Sequence, residues 1–417
     1  MKILYVASGI PVPGTLGGST HTLEVARGLA ARGHAVHVVA STRAGWDGLH
    51  TLARPVSSRY TGVFLHHVDV PKSLALLSAP LIRRLARAIR PDLIMERYYN
   101  FAGGGILAAR RLGLPSILEV NALMVDPPAV FKRRLDDVLG GPMRRWAVQQ
   151  CRWADRIVTP LHTTVPPEIP REKIVELPWG AAVEHFVPQS KETRRQRDKE
   201  IGQASSSISH LLPLSRSPVV VFLGSFRAWH GVLDFMRAAA LLLEEGRDCH
   251  FLLIGDGPER AAAAALAAAW PGRFTFTGAV DYDAVPALLA SATIGVAPFN
   301  TAPHPALRAA GFFWSPLKVY EYMAAGLPVV TADIAPLNEI IREGQEGKLF
   351  REGDVRSLAA AIARLLDCPA DARAMGQCAR ERVVANYSWA RHCEELEQIA
   401  LELTTRRQEP RTRNQST

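Results

Sequence analysis

Cysteine is scarce in this chain and poorly spaced for either of its usual structural tasks. The five, Cys151, Cys249, Cys368, Cys378 and Cys393, contain no CxxC pair and are odd in number. That argues against a disulfide framework or a zinc site and leaves reduced core or surface thiols. Long apolar runs are also missing: none approaches the ~20 residues that cross a bilayer, so a transmembrane protein is not expected. The N-terminal MKILYVAS has one lysine and an apolar run too short for a signal-peptide core. It reads as a first buried strand, and the expected location is the cytoplasm. Zinc-finger, RNP-like and helix-turn-helix patterns are absent as well, which sets nucleic acid aside as a partner.

What is there is a long, basic, repeating α/β chain. At 417 residues it exceeds the roughly 250–300 that one hydrophobic core supports, so two domains are expected. A net charge of +9 favours anionic partners such as nucleotides, phosphates or acidic lipid surfaces. In the first half, strands are expected at 2–8, 36–40, 63–68, 92–96, 115–120, 156–159 and 174–177, with helices after Ser19 and over 79–90 and 106–112. The second half restarts with strands at 219–223, 251–254, 274–276 and 294–297 and helices over 233–245, 259–269 and 283–290, then closes in helices over 358–366, 371–385 and 389–403. Such alternation predicts mostly parallel, doubly wound sheets. The expected organisation is an N-terminal domain over 1–188, a charged and Ser-rich linker or insertion over 189–218, and a C-terminal domain over 219–385. A helix over 386–404 packs back toward the first domain, followed by a disordered tail over 405–417.

Several stretches carry candidate chemistry. Gly17-Gly18 precede a helix, where backbone can approach a phosphate; the same pair also suits a plain tight turn. Gly224 and the run Gly255-Asp256-Gly257-Pro258 each follow a predicted strand. In the stretch 315–330, SPLKVYEYMAAGLPVV, Ser315 suits an N-cap and Pro316 a first helical turn, so Ser315, Pro316, Leu317 and Lys318 make an anion-friendly helix start. Lys318 and Glu321 then share a face. The segment 79–90 sets Leu81, Leu85 and Ile89 beside Arg83, Arg84, Arg87 and Arg90, a basic amphipathic helix that suits either an anionic membrane or a solvated face over a core. A second basic patch comprises Lys132, Arg133, Arg134, Arg144 and Arg145. Asp281 and Asp283 read as helix caps rather than metal ligands. His21 suits a ligand-facing or a packed position, and Phe312, Phe313 and Trp314 a sugar wall or core.

Six ordered motifs extend this reading to a family. GGSTHTL at 17–23 with LAARGH at 29–34, IVELPWGAAVEHF at 174–186, GSFRAWHGV at 224–232, LLIGDGPER at 252–260, FTGAV at 276–280 and SPLKVYEYMAAGLPVV at 315–330 resemble family 4 of the retaining glycosyltransferases. The resemblance spans nearly the whole chain apart from 189–218. It implies the GT-B fold, two Rossmann-like domains facing across a cleft. It also implies transfer of a sugar from a nucleotide-diphosphate sugar to a hydroxyl acceptor, such as a carbohydrate, lipid-linked or small-molecule one in polysaccharide or glycolipid synthesis. No metal and no cofactor beyond the donor are expected. Donor binding falls to Gly17, Gly18, Gly224, Arg227, His230, Gly255, Gly257, Ser315, Pro316, Leu317, Lys318 and Glu321. Arg227 and His230 would neutralise the diphosphate, and Glu321 would accept from ribose hydroxyls.

Two departures stand out. The first glutamate of the family's pair falls on Phe313, and a histidine common after the strand 115–120 is replaced by Asn121, with Glu119 two residues before it. Asn121 can orient a hydroxyl and Glu119 can polarise one, so both join Arg227 and His230 as catalytic candidates. Two other readings share these motifs: a nucleotide-sugar epimerase, and a non-catalytic sugar-nucleotide binding component of an assembly. The basic helices add an anionic membrane surface as a partner, at its inner, cytoplasmic face.

Overall fold

The computed structural model describes residues 1–14, 17–42, 55–70, 72–186 and 217–408. The range expected as a linker lies outside these residues except for Ser217 and Pro218. The chain divides into two compact units: one holds Met1–Trp179, Phe313–Ser315 and the segment from Trp389 onward, the other Gly180–Phe312 and Pro316–Ser388. The helix Trp389–Gln408 runs four residues past Thr404, where a disordered tail was expected to begin.

The first unit is built on eight strands: β1 (Lys2–Pro11), β2 (Ala35–Ser41), β3 (Val56–Tyr60), β4 (Val63–His67), β5 (Leu93–Arg97), β6 (Ser116–Glu119), β7 (Arg156–Thr159) and β8 (Ile174–Glu176). Their order is β3-β4-β2-β1-β5-β6-β7-β8. Every neighbouring pair is parallel except β3 and β4, a hairpin turned by Thr61 and Gly62, both at positive φ. Ile3 to Ala7 in β1 are fully enclosed, the condition of a central parallel strand covered on both faces. Register aligns Arg97 with Glu119 at the carboxyl edge of β5 and β6. Beside Arg97, Glu96 is buried and accepts the backbone N–H of Gly103 (2.8 Å) and Ile106 (2.7 Å), so a strand carboxylate caps the helix Gly104–Leu112. Burial pushes that carboxyl up to about 7, against the backbone hydrogen bonds.

The helix Ala79–Ile89 lies on this sheet. Leu81, Ile82 and Ala86 are buried in a cluster with Leu4, Val6 and Ile94, and Leu85 and Ile89 pack against it. The apolar face considered for a membrane is therefore spent in the core, and the arginines are what remain outside. No helix among the described residues is long and apolar enough to cross a membrane.

The second unit carries β9 (Val219–Leu223), β10 (His250–Ile254), β11 (Phe274–Gly278), β12 (Ile294–Ala297), β13 (Val329–Ala332) and β14 (Gly347–Phe350). The order is β11-β10-β9-β12-β13-β14, parallel throughout. The helix Leu317–Ala324 is pegged to this sheet by one side chain. Buried Tyr322 accepts the Leu223 N–H (2.7 Å) and donates to the Val296 carbonyl (3.1 Å), bridging the ends of β9 and β12. Gly295 leaves room for its ring: a Cβ there would stand 2.5 Å from the Tyr322 ring. Gly295→Ala should therefore displace the peg and destabilise the protein by about 1–3 kcal/mol. Thermal melting reads this directly, and an unchanged melting temperature would contradict the packing.

Candidate functional site

Ligands of open parallel sheets bind beyond the carboxyl ends of the strands, and in the second unit that edge is where several of the motif residues converge. Gly224 follows β9 and Gly255 follows β10, at φ 133° and 130°. Both angles favour glycine, and the space requires it: a Cβ on Gly255 would stand 2.1 Å from the Gly224 carbonyl oxygen. A Cβ on Gly224 would meet Lys318 Nζ at 3.0 Å and His230 Nδ1 at 3.2 Å. The two turns are laced together by Gly224 N–H to Ile254 O (2.9 Å) and Phe226 N–H to Asp256 O (2.8 Å). Gly257 lies against the Phe226 backbone in the same crossing.

Over this platform stands a buried amine. Lys318 is 6% exposed, its Nζ 4.4 Å from the Phe222 ring centroid, 4.8 Å from that of Phe299 and 3.3 Å from His230 Nδ1. An ammonium only donates, so Nδ1 accepts and His230 is held neutral. Burial, then the Lys318 and Arg227 charges, hold the His230 ring far below the usual imidazole range. Burial likewise lowers Lys318 to about 7, with Glu321 opposing. Glu321 sits one turn on, buried, and is raised to about 7 by that burial, with a hydrogen bond to Tyr282 and the Lys318 charge opposing. Arg227 is exposed at the start of the short turn Ala228–His230. The arrangement is an enclosed, half-discharged cation beside a carboxyl acceptor, suited to a ligand bearing both an anion and hydroxyls.

The first unit holds a different cluster at the carboxyl edge of its sheet. Glu119 is its hub: Tyr5 donates its hydroxyl to Oε2, and Asn121 donates to Oε1 at 2.9 Å. His21 Nε2 lies 2.8 Å and Arg97 Nη1 3.7 Å from Oε1. Arg97 Nη1 also lies 2.7 Å from His21 Nδ1. A guanidinium only donates, so Nδ1 accepts and the His21 proton sits on Nε2, facing Glu119. Burial drives His21 down to about 4, against the Glu119 charge. Burial alone would raise Glu119, but His21, Arg97 and Tyr5 together hold it below the usual carboxylate range. Trp179 Nε1 donates to Asn121 Oδ1 (2.7 Å), which fixes the amide. Arg97 Nη2 approaches the helix start at Gly18, 3.6 Å from where a Cβ would be.

Comparisons with known proteins match two separate stretches of the chain. Residues 16–165 match the family described as Glycosyltransferase Family 4, and residues 217–368 match Glycosyl transferases group 1. The chain belongs to the family 4-like glycosyltransferases. It is 26% identical to an alpha-D-kanosaminyltransferase of Streptomyces kanamyceticus, over 71% of this chain and 73% of that one. It is 27% identical to a GDP-mannose-dependent alpha-mannosyltransferase of Mycolicibacterium smegmatis, over 95% and 96%. Among solved structures, Anabaena HepE in complex with UDP superposes with a TM-score of 0.70 at 17% identity, covering 96% of this chain and all of that one. Sucrose-phosphate synthase of Thermosynechococcus elongatus gives 0.69 at 18%, covering 97% and 99%. The fold is GT-B.

Within this glycosyltransferase, several sequence-based expectations are redrawn. Glu119 is enclosed and both its oxygens already accept from side chains around it; Asn121 is tied at both ends of its amide. Neither is placed as a base or a sugar contact. Ser315 is not the helix cap: the cap position is Pro316, Leu317 opens the helix, and Ser315 Oγ accepts the Trp179 N–H at 3.0 Å. His230 does not carry the charge expected of it, and Lys318 is the buried cation. Phe312 and Phe313 are core residues, which leaves Trp314 the half-exposed member of the three. His21 is packed and fully enclosed. Asp281 occupies the cap position of the turn Tyr282–Ala284. Gly17 is exposed and Gly18 half-buried at the start of the helix Gly17–Ala31. No group of three metal-ligating side chains occurs among the described residues. Arg97, Tyr5, Trp179 and Tyr282 were not anticipated; a charged pair ending the buried strand LIMER was the available signal for Arg97.

The buried amine has a measurable consequence. Its folded value lies below the ordinary 10.5, so Lys318 weighs against stability fully below about pH 7, and the burden lifts as pH rises toward 10.5. Glu321 can take a proton when the amine is removed. Lys318→Met should therefore raise stability by about 1–3 kcal/mol at pH 6.5, with the gain fading toward pH 10 while turnover is lost. Melting curves across that range check it; a destabilised variant at pH 6.5 would overturn the assignment.

Proposed function

We propose that this glycosyltransferase moves a sugar from a nucleoside-diphosphate sugar to an acceptor hydroxyl with retention of anomeric configuration. The observation that carries the reading is the enclosed Lys318 amine beside His230 at the carboxyl end of β9, with Glu321 one helical turn away. Cleaving the sugar–phosphate bond builds negative charge on the departing diphosphate. A cation fixed in a water-poor setting stabilises that charge more in the transition state than in the ground state. Lys318 is that cation, Arg227 adds charge from the exposed side, and the neutral His230 ring holds the amine in place. Approach of the diphosphate favours the protonated amine, so the substrate completes the electrostatics of its own site.

The Glu321 carboxylate accepts from the ribose hydroxyls, with Tyr282 fixing its orientation. Gly224, Gly255 and Gly257 keep the floor of the site free of side chains, and the backbone N–H groups of Leu317 and Lys318 are available to phosphate. Gly17 and Gly18, beside Arg97, serve an anionic group of the substrates. With Glu119 enclosed, no carboxylate of that cluster is placed to act as base. The acceptor proton passes to an oxygen of the departing phosphate as the new glycosidic bond forms on the same face, a route compatible with retention. The donor named for the Mycolicibacterium relative and the nucleotide held by HepE support a nucleoside-diphosphate donor. The transferase names of the relatives favour transfer over epimerisation.

A panel of UDP-, GDP- and ADP-sugars with carbohydrate and small-molecule acceptors tests this. Turnover should be confined to one nucleotide class, with product anomers by NMR matching the donor. Lys318→Gln should lower kcat by about 100–1,000-fold, whereas Glu321→Gln should act mainly through KM, by about tenfold. Equal turnover of both variants and the unaltered chain would remove the site from its role.

A further inference from the structure

Phe131, Leu135 and Val138 recur at i, i+4 and i+7 of the helix Phe131–Val138 and so share one face. A surface helix ordinarily turns such a stripe to the core. This one does the reverse: the three side chains are 78%, 50% and 84% exposed, and Leu139, the next residue, is 64% exposed. The opposite face explains the orientation. Asp136 is buried, and its carboxylate accepts the backbone N–H of Met143 (2.7 Å) and Arg144 (3.1 Å) in the first turn of the helix Pro142–Trp153. A carboxylate committed to a neighbouring helix N-terminus fixes the rotation of its own helix, and the apolar stripe is left outward.

Cations border the stripe. Lys132 is paired with Asp126 at 3.4 Å and Arg133 with Asp137 at 2.9 Å. Arg134, Arg144 and Arg145 are exposed and, among the described residues, have no carboxylate within ion-pair distance. Arg134 Nε donates to the Pro128 carbonyl at 3.2 Å, and Arg145 donates to that of Gly140, so both guanidinium groups are held close to the stripe. Four apolar side chains fall far short of the roughly 20–30 residues that each side of a stable protein interface supplies. An apolar ridge of this size with unneutralised arginines beside it instead suits the boundary between headgroups and acyl chains, with aromatic and aliphatic groups inserted and guanidinium groups on lipid phosphate.

We propose that the first unit docks on an anionic membrane surface through Phe131, Leu135, Val138 and Leu139, with Arg134, Arg144 and Arg145 as its electrostatic contacts. This surface is separate from the residues assigned to the donor and does not depend on that assignment.

Co-sedimentation of the full chain with vesicles of pure phosphatidylcholine, and with vesicles containing about one third phosphatidylglycerol, tests the proposal. Binding should be at least about tenfold stronger to the anionic vesicles and should weaken with salt. Phe131→Ser/Val138→Ser should lose about tenfold or more of it. Arg144→Gln/Arg145→Gln should reduce both the binding and its salt dependence. Donor hydrolysis in detergent-free solution and the melting temperature should stay as in the unaltered chain, which separates lost docking from lost folding or a failed donor site. Equal binding to both vesicles, absence of binding, or undiminished binding by the serine variant would overturn it. So would concentration-dependent self-association that the serine variant abolishes, since that would give the stripe to a second copy of the chain.

Discussion

A lysine amine enclosed between two phenylalanine rings and a neutral imidazole is the constraint on which the second unit depends. Such a group is unfavourable in an empty protein, because charge without water or a full counter-charge is costly. The surroundings explain why it persists. Gly224 and Gly255 bring the ends of β9 and β10 together with no side chains between them, Tyr322 pins the helix that carries Lys318 to β9 and β12, and Glu321 shares its face. Each choice seats a cation at the carboxyl edge of the sheet where water has little access. Under the proposed function, the unfavourable energy of the free site is recovered when a diphosphate arrives, and most strongly when its charge grows in the transition state.

The first unit solves a different problem. Seven polar or aromatic side chains, Tyr5, His21, Arg97, Glu119, Asn121, Trp179 and His392, meet at the carboxyl edge of its sheet, where His392 Nδ1 lies 2.9 Å from the Pro178 carbonyl. The donor and acceptor rules leave little freedom. Arg97 can only donate and so sets the tautomer of His21; Trp179 can only donate and so sets the amide of Asn121; both settings aim a donor at Glu119. A buried carboxylate with this many donors is a fixing point. It positions Arg97, whose Nη2 faces the helix start at Gly18.

Much of the architecture was legible because parallel strands buried on both faces are written as unbroken apolar runs: VVVFL over 219–223 and IGVA over 294–297 became β9 and β12 with those bounds. The strand β3 escaped because VSSRY is exposed along its whole length and carries no apolar period; only the Thr61-Gly62 turn announced it. The helix Phe131–Val138 escaped although Phe131, Leu135 and Val138 stand at helical spacing, because eight residues give that period only about two turns in which to show. At the candidate site, motif order pointed to Gly224, Lys318 and Glu321, which depend on local sequence. Protonation did not follow from sequence, because it is set by enclosure and by neighbours far along the chain: burial first, and then the charge of Lys318, 88 positions away, hold His230 neutral. Glu119 likewise looked like a base in its own segment and is occupied by Tyr5, 114 positions distant.

The central claim is that burial lowers the Lys318 amine to about 7 in the free protein, so that it is only partly charged near neutral pH, and that its ligand charges it. Titration calorimetry of UDP and of GDP at pH 8, in two buffers of different ionisation enthalpy, tests it most directly. For the nucleotide that binds, the account predicts uptake of about one proton from the buffer, abolished in Lys318→Met. Binding with no dependence on the buffer, or with release of protons, would contradict it.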